Sequence, residues 1–575
     1  MAKANYWQRL QRQRITRRRL MVGAGVGVAG LAVAAACGDG GGNGTSPTAT
    51  DVVAGATSTP LPAPKRGGRY KAVTSVGFDT LDPHISIAGA TTFFPRLYNV
   101  LMNRSPLNPD FLLYDLAADG GLETPDETTY IFTIRPGVKI APNDLGVEER
   151  DLDAEDCRVS MERIKGLPEA NACAFVCEFF ASHEATEPMV YKVETPGPYT
   201  WFLFNIGRFI NMVLPRELIQ QDDPTFIQRA SAGAGPFVVR EGGYVAGERL
   251  SLERNTNYYG TDPNNNNEPL PYIDGIDSLI IADRSTQRSA FIDQQIHEYA
   301  AANIDDVNEL TGQYDVNLTS QEPTWTYISF SMNVDRPPFD NPKIRQAANL
   351  ALNRQEYVDR VYSGEAKING LVHWPVKGTL SESELAEVQP FDPVRARELI
   401  KEATGEDTVD IKVMFPASFP LFEHDLHLQI FVTQMEEAGF RLNQDPQSFA
   451  VWLENYTNKE YDCSLALNQV YETAEIPLDW QHSKGPAGSN IYGSGIGDSE
   501  VDAAIEASKT VIDPDELIES IKQVQLLIYE KGPAFLPLVT PFSRTLRWDF
   551  VKDYPNGLGP NTNLLIHDWS LDLPA

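Results

Sequence analysis

Histidine, cysteine and basic charge are all in short supply in this sequence. Its 575 residues include eight histidines, five cysteines and 48 lysines and arginines against 79 aspartates and glutamates. No H-E-x-x-H stretch is present: His424 and His427 stand three apart with Glu423 in front of them. A zinc protease needs its histidines four apart with the glutamate between them. The pair is therefore expected on a half-exposed polar helix face, with a metal site as the alternative. No Walker loop occurs, and Gly493-Ser494-Gly495 lacks the spacing of a nucleophile elbow. Carboxylates are plentiful, but no spacing singles out an acid–base pair. These absences move the reading from enzyme toward binding protein, with no cofactor and no metal.

The charge balance excludes a second class. A formal charge of −31 repels nucleic acid phosphates, whose binding rests on lysine and arginine. It also disfavours lying flat on anionic lipid. A body held away from the membrane surface fits it better.

Long hydrophobic runs are also missing, apart from Leu20 to Ala36, which is 17 residues long. A membrane-spanning helix needs about 20, and each of the four glycines in this run weakens it by roughly 1 kcal/mol relative to alanine. Gly25 to Gly30 spells G-x-G-x-x-G, but no strand precedes it and no βαβ unit contains it. The flanks explain it better. Residues 1–36 carry seven basic residues and no acidic one, which is export-signal architecture. Thr16 to Met21, with Arg17-Arg18-Arg19, resembles a twin-arginine signal. Ala34-Ala35-Ala36-Cys37 resembles a bacterial lipobox, which implies cleavage before Cys37 and lipid on its sulfur and amino group. Without the signal the charge becomes −38, since seven basic residues leave with it. Residues 37–65, rich in Gly, Ser, Thr, Ala and Pro, cannot bury enough surface to offset ordering entropy and read as a tether.

About 510 residues remain beyond the tether, too many for one simple core, so two or more lobes are expected. Cys157, Cys173, Cys177 and Cys463 are left after Cys37. Outside the cytoplasm, Cys173 could pair with Cys177, or either with Cys157. Free buried thiols are the alternative, as is a metal half-site for which only His183 is close.

Local patterns give the elements. Arg69–Val76, Tyr130–Ile134, Tyr199–Phe204 and Gly235–Val239 read as strands, and 264–267 as a polar loop. Asp153 caps a helix to Lys165, with Asp156 three positions on. Asn341-Pro342, Asp392-Pro393 and Asp513-Pro514 each pair a cap with a proline at the first helical position. Asn353 to Glu356 resembles a capping box. Beyond Asp513, Leu517, Ile518, Ile521, Val524 and Ile528 share one helix face. The stretch 409–467 reads strand, helix, strand, helix, strand, with Gly439 stopping the first helix; a parallel α/β layer follows.

Several stretches resemble the extracytoplasmic solute-binding proteins of ABC transporters, of the large peptide/nickel class (family 5). They are Arg66-Gly67-Gly68-Arg69-Tyr70, Phe78 to His84 (FDTLDPH), Ala154-Glu155-Asp156 before Ser160 to Ile164, Gly233 to Phe237 (GAGPF), Leu252 to Gly260, and Met332-Asn333 followed by Pro337 to Ala347 and Ala351 to Arg354. In this order they span residue 66 to the C-terminal end. The resemblance implies an α/β, two-lobed periplasmic-binding-protein-like (type II) fold with an extra subdomain inserted in lobe 1. Lobe 1 is expected at 66–320, with the subdomain at about 105–190, and lobe 2 at 321–536. The chain would return to lobe 1 over 537–575, with crossings near Gln321–Ser331 and Gly532–Pro541. It implies noncovalent capture of a solute, an oligopeptide first, for permease subunits of an importer. An oligosaccharide or nickel chelate is the alternative cargo, and an anchored hydrolase the alternative class.

In peptide-binding relatives an aspartate in an Ala-Asp-Tyr-like segment holds the peptide's amino group. Here that stretch reads Leu467 to Glu475 (LNQVYETAE), and the aspartate is absent. Glu472 or Glu475 is the substitute on offer. The ligand-binding candidates are Phe78, Asp79, Trp374, Asn468, Glu472 and Trp480.

Overall fold

The computed structural model describes residues 64–75, 80–85, 93–104, 112–141, 147–167, 180–208, 211–221, 227, 231–262, 265–301, 303–323, 326–374, 376–417, 424–469, 473–485, 493, 495–552 and 570–572. Cys37, the signal, nearly all of the tether, Phe78, Asp79, Cys173, Cys177 and Glu472 lie outside them.

The βαβαβ stretch folds as its pattern dictates. Val409–Pro416 pairs in parallel with Phe440–Gln447 on one side and Cys463–Gln469 on the other. Helices His424–Glu437 and Phe449–Thr457 make the crossovers, and Gly439 takes the positive φ (94°) that ends the first. Two antiparallel strands complete the sheet: Thr326–Met332 beside Cys463–Gln469, and Phe535–Pro537 at the edge.

A second sheet joins the two ends of the first half of the chain. Arg69–Thr74 runs parallel to Gly275–Ile280, with Arg249–Arg254 and Phe237–Val245 added antiparallel. Between those strands in sequence sits an antiparallel sheet of Ala117–Glu123, Thr129–Ile134, Val190–Glu194 and Ser182–Glu187. Helix Ala154–Gly166 packs on it. Its N-terminus is a full capping box: Asp153 accepts from the amides of Glu155 and Asp156, and Asp156 accepts from the amide of Asp153 at 3.0 Å. The glycines of GAGPF permit a close approach. A Cβ on Gly233 would overlap the Leu97 carbonyl oxygen, beside the bond from the Gly235 amide to that same oxygen at 3.0 Å.

The long strand Val539–Trp548 ties these parts together, pairing with Glu298–Ala300, Val316–Pro323 and Ala366–Ile368. Val316–Pro323 leads into Thr326–Met332, and Phe535–Pro537 leads into Val539–Trp548. The two passages run side by side and antiparallel, with Pro323 opposite Phe542 and Ser329 opposite Pro537.

Two buried arginines hold the second passage. Arg345 donates from Nε to the Gly532 carbonyl at 2.7 Å and from Nη1 to that of Phe339 at 2.8 Å. Arg354 donates from Nε to the Pro537 carbonyl at 2.8 Å and from Nη2 to Asn349 Oδ1 at 2.9 Å. No carboxylate meets either guanidinium among the described residues, and burial lowers both to about 10. They stay charged at neutral pH and bind carbonyl dipoles, and together they clamp the chain at Gly532 and Pro537. At the other end of the chain, Lys65 pairs with Asp572 and Arg66 with Glu268.

Three sequence expectations need correction. Tyr199–Phe204 is no strand: Phe202–Ile206 is a short helix, reached through a turn in which the Asn205 amide bonds the Trp201 carbonyl at 2.9 Å. Its aromatic run is buried on all sides, so burial pattern alone could not separate strand from helix. His427 is not on a polar face; it is buried, 2.9 Å from Tyr362 Oη and against the Tyr357 ring. The 353–356 box is half formed: Asn353 accepts from the Glu356 amide, while Glu356 turns to Gln434 and Arg360. Cys157 and Cys463 are buried free thiols.

Candidate functional site

Phe78 and Asp79 lie outside the described residues; the turn Leu81–Ile85 follows them in sequence. Asp82 and His84 are buried there. Arg163, late in helix Ala154–Gly166, grips Asp82 with Nη1 and Nη2 at 3.1 and 2.6 Å. Its Nη1 also lies 2.8 Å from His84 Nδ1. Arginine only donates, so Nδ1 accepts and Nε2–H donates to the Met212 carbonyl at 2.9 Å. Burial first and then Arg163 lower His84 to about 4, and the ring stays neutral. The turn is thereby fastened to the inserted sheet's helix and to the segment after Phe202–Ile206.

That segment meets residues from the far end of the sequence. Tyr199 Oη donates to Glu475 Oε1, and Asn205 Nδ2 donates to Glu475 Oε2 at 2.7 Å. The Thr200 amide and hydroxyl reach the carbonyls of Lys509 and Val511 at 2.9 and 2.5 Å. Glu475 opens the short helix Glu475–Asp479, and Asp479 at its end faces Lys509 Nζ at 2.9 Å. Burial raises the Glu475 carboxyl and pushes Asp479 up to about 7. Burial on its own lowers Lys509, but Asp479 and Glu475 outweigh it and raise the ammonium. Glu475 is thus already engaged by protein donors.

The remaining candidates converge on strand Thr326–Met332. Tyr327, near its start, is opposite Asn468 in register. The His373 ring lies 3.9 Å from the Tyr327 ring, and its buried Nε2 has no hydrogen-bond partner among the described residues. Burial lowers this imidazole to about 3, so it is neutral. Trp374 follows it, half-buried, with Lys367 Nζ 4.4 Å above its ring. Trp480 is packed edge-on against Phe535, in the strand that flanks Ser329–Ser331. Asn468 is thus paired in register with this strand, Trp480 packs on the strand beside it, and Trp374 stands one residue beyond the histidine that meets Tyr327. Tyr199, Asn205, Asp479, Lys509 and His373 were not singled out from the sequence. Tyr199 opens the misread aromatic run and Asn205 stands just past its end, and no local pattern marks the others. No group of histidines, cysteines or carboxylates among the described residues is arranged to hold a metal.

The model of the family described as bacterial extracellular solute-binding proteins, family 5 Middle, matches residues 113–486. The chain belongs to this family. The family 5 assignment makes it a binding protein of the ABC-transporter class and not an enzyme. It is 24% identical over 487 residues to the glutathione-binding protein GsiB of Salmonella paratyphi A, covering 81% of this chain and 88% of that protein. Its structure resembles DppA of Helicobacter pylori in complex with the peptide STSA, with a TM-score of 0.73, 19% identity, and 88% and 99% of the two chains covered. MoaA from A. tumefacien R10 in complex with mannopinic acid gives a TM-score of 0.73 at 20% identity, covering 88% and 99%. The family 5 chain therefore has the two-domain α/β periplasmic-binding-protein-like fold.

Proposed function

We propose that this family 5 protein captures a short peptide between two lobes outside the cytoplasm and delivers it to the permease subunits of an ABC importer. The carrying observation is the family match across 113–486 together with relatives that bind glutathione and the peptide STSA. In this reading lobe 1 holds residues 66–320, with the subdomain at about 105–190, and 537–575; lobe 2 holds 321–536. The side-by-side passages at 323–326 and 537–539 support the division. A ligand favours the shut form only through the additional contacts it makes there. Trp374, Asn468 and Trp480 would offer faces and amides to it, with Phe78, Asp79 and Glu472 completing the wall. Cys37 would carry the lipid that holds the body at the membrane, after removal of the export signal. The oligosaccharide, nickel-chelate and hydrolase readings gain no support from these relatives.

The test is a thermal-shift screen of the purified protein after unfolding and refolding to shed carried ligand. Di-, tri- and tetrapeptides, glutathione, mannopinic acid, oligosaccharides and nickel complexes form the panel. At a hundred times its Kd a ligand adds about 2.7 kcal/mol to stability. A rise with peptides supports the reading. A rise confined to sugars or nickel complexes, or no rise at all, overturns it.

A further inference from the structure

We propose that Glu475, seated on Tyr199 and Asn205 when the lobes are shut, and Asp479, paired with Lys509 at the other end of the same short helix, form a proton-linked closure latch, so that acid conditions favour the shut form. This rests on the lobe division above, which puts Tyr199–Arg208 in lobe 1 and Glu475–Val511 in lobe 2.

The geometry carries it. Both oxygens of Glu475 are satisfied by donors from the opposite lobe, Tyr199 Oη and Asn205 Nδ2. Thr200 adds two bonds to the main chain at Lys509 and Val511. Around them the contact is dry: Trp201, Phe202, Ile476, Leu478 and Trp480 are all buried. Opening the lobes breaks every one of these bonds and returns Glu475 to water. Closing takes the carboxylate out of water, which is costly unless hydrogen bonds compensate.

The charges facing this pair can be enumerated by element. Arg208 and Tyr199 come from lobe 1. Lys509, just past helix Ser499–Ser508, faces Asp479 at 2.9 Å and Glu506 at 3.0 Å. His482 lies beyond, 3.4 Å from Glu506 and 3.9 Å from Asp502, and burial lowers it. Two cations thus face Glu475, Asp479 and Glu506, and one negative charge is left over. A proton removes it. Asp479, buried beside Lys509, reaches about 7, and Glu475, buried against Tyr199 and Asn205, moves the same way. In the open form Glu475 loses Tyr199 and Asn205 and both carboxyls gain water, which returns them toward the ordinary value near 4, Asp479 keeping Lys509 beside it. The shut form therefore retains a proton that the open form releases. Closure is most favoured below about pH 4, weakens as pH rises toward about 7, and levels off above it. One linked proton changes the equilibrium by up to about tenfold per pH unit inside that window.

The test uses the unliganded protein, so it does not depend on which solute binds. Small-angle X-ray scattering at pH 5 and pH 8 reads the fraction shut. The expectation is a smaller radius at pH 5 and a closure equilibrium shifted about tenfold or more between the two. Asp479→Asn should flatten the pH response, and Tyr199→Phe should enlarge the radius at both values, with circular dichroism showing each variant folded. A radius independent of pH in the parent protein, or a pH response unchanged in both Asp479→Asn and Glu475→Gln, overturns the latch. A pH-dependent radius abolished by Asp479→Asn, in a protein that binds no peptide, upholds the latch and overturns the peptide reading alone.

Discussion

Arg354 offers the sharpest test of how the second passage is held. Replacing it with methionine keeps most of the stem and removes the guanidinium. Two buried acceptors, the Pro537 carbonyl and Asn349 Oδ1, then lose their donors. An unsatisfied buried acceptor costs about 1–3 kcal/mol, so the pair costs about 2–6. Against this stands the relief of no longer burying a charge, which is several kcal/mol in general but reduced here by three carbonyl-type partners. We expect a net loss of ~3 kcal/mol for Arg354→Met, and a further ~1–2 kcal/mol for Arg354→Ala from the shortened stem. Arg354→Lys should recover less than half, because one ammonium cannot reproduce a planar fork. Urea unfolding followed by tryptophan fluorescence gives the stability change. Hydrogen exchange gives its location: amides at 535–541 should exchange faster while those of Thr129–Ile134 stay protected. A loss under ~0.5 kcal/mol for Arg354→Met, with exchange at 535–541 unchanged, would refute the clamp and show that desolvation of the guanidinium cancels its bonds.

Further outcomes follow from other parts of the molecule. Gly233→Ala drives a Cβ into the Leu97 carbonyl oxygen, where only backbone can yield, and should cost ~3 kcal/mol by thermal unfolding. Arg163→Met strips the buried Asp82 of its partner and should cost ~3–5 kcal/mol at pH 7, whereas the double change with Asp82→Asn should cost clearly less. Trp374→Ala should weaken peptide binding tenfold or more in a calorimetric titration while lowering stability by only about 1 kcal/mol, since the ring is half-buried. Equal affinity with and without the Trp374 ring would remove it from the site.

Sequence patterning reached the layered parts of the fold because those parts are locally determined. Val409–Gln469 alternates periods of two and 3.6 with a glycine stop between, and each strand and helix fell close to its expected place. Cap-plus-proline signals located three helix starts at Pro342, Pro393 and Pro514. The failures have a common cause. Tyr199–Phe204 and His427 are buried on every side by partners distant in sequence, so their local pattern carries no period to read. The site was legible only as types of residue. Asn468 lies opposite Tyr327 in register, and Trp480 packs against Phe535 of the adjoining strand. Glu475 was noticed for its charge, but its bonds to Tyr199 and Asn205 join residues some 270 positions apart, and nothing in either stretch announces the other.

The pairing of Lys65 with Asp572 puts the two extremities of the folded body within a side chain's reach of each other. A short glycine-serine bridge could therefore connect them, and new ends cut into an exposed turn such as Asp126–Thr128 should yield a circularly permuted protein with the same sheets. Such a rearranged chain would show whether the sheets assemble from strand register alone, whatever the order in which the strands are joined.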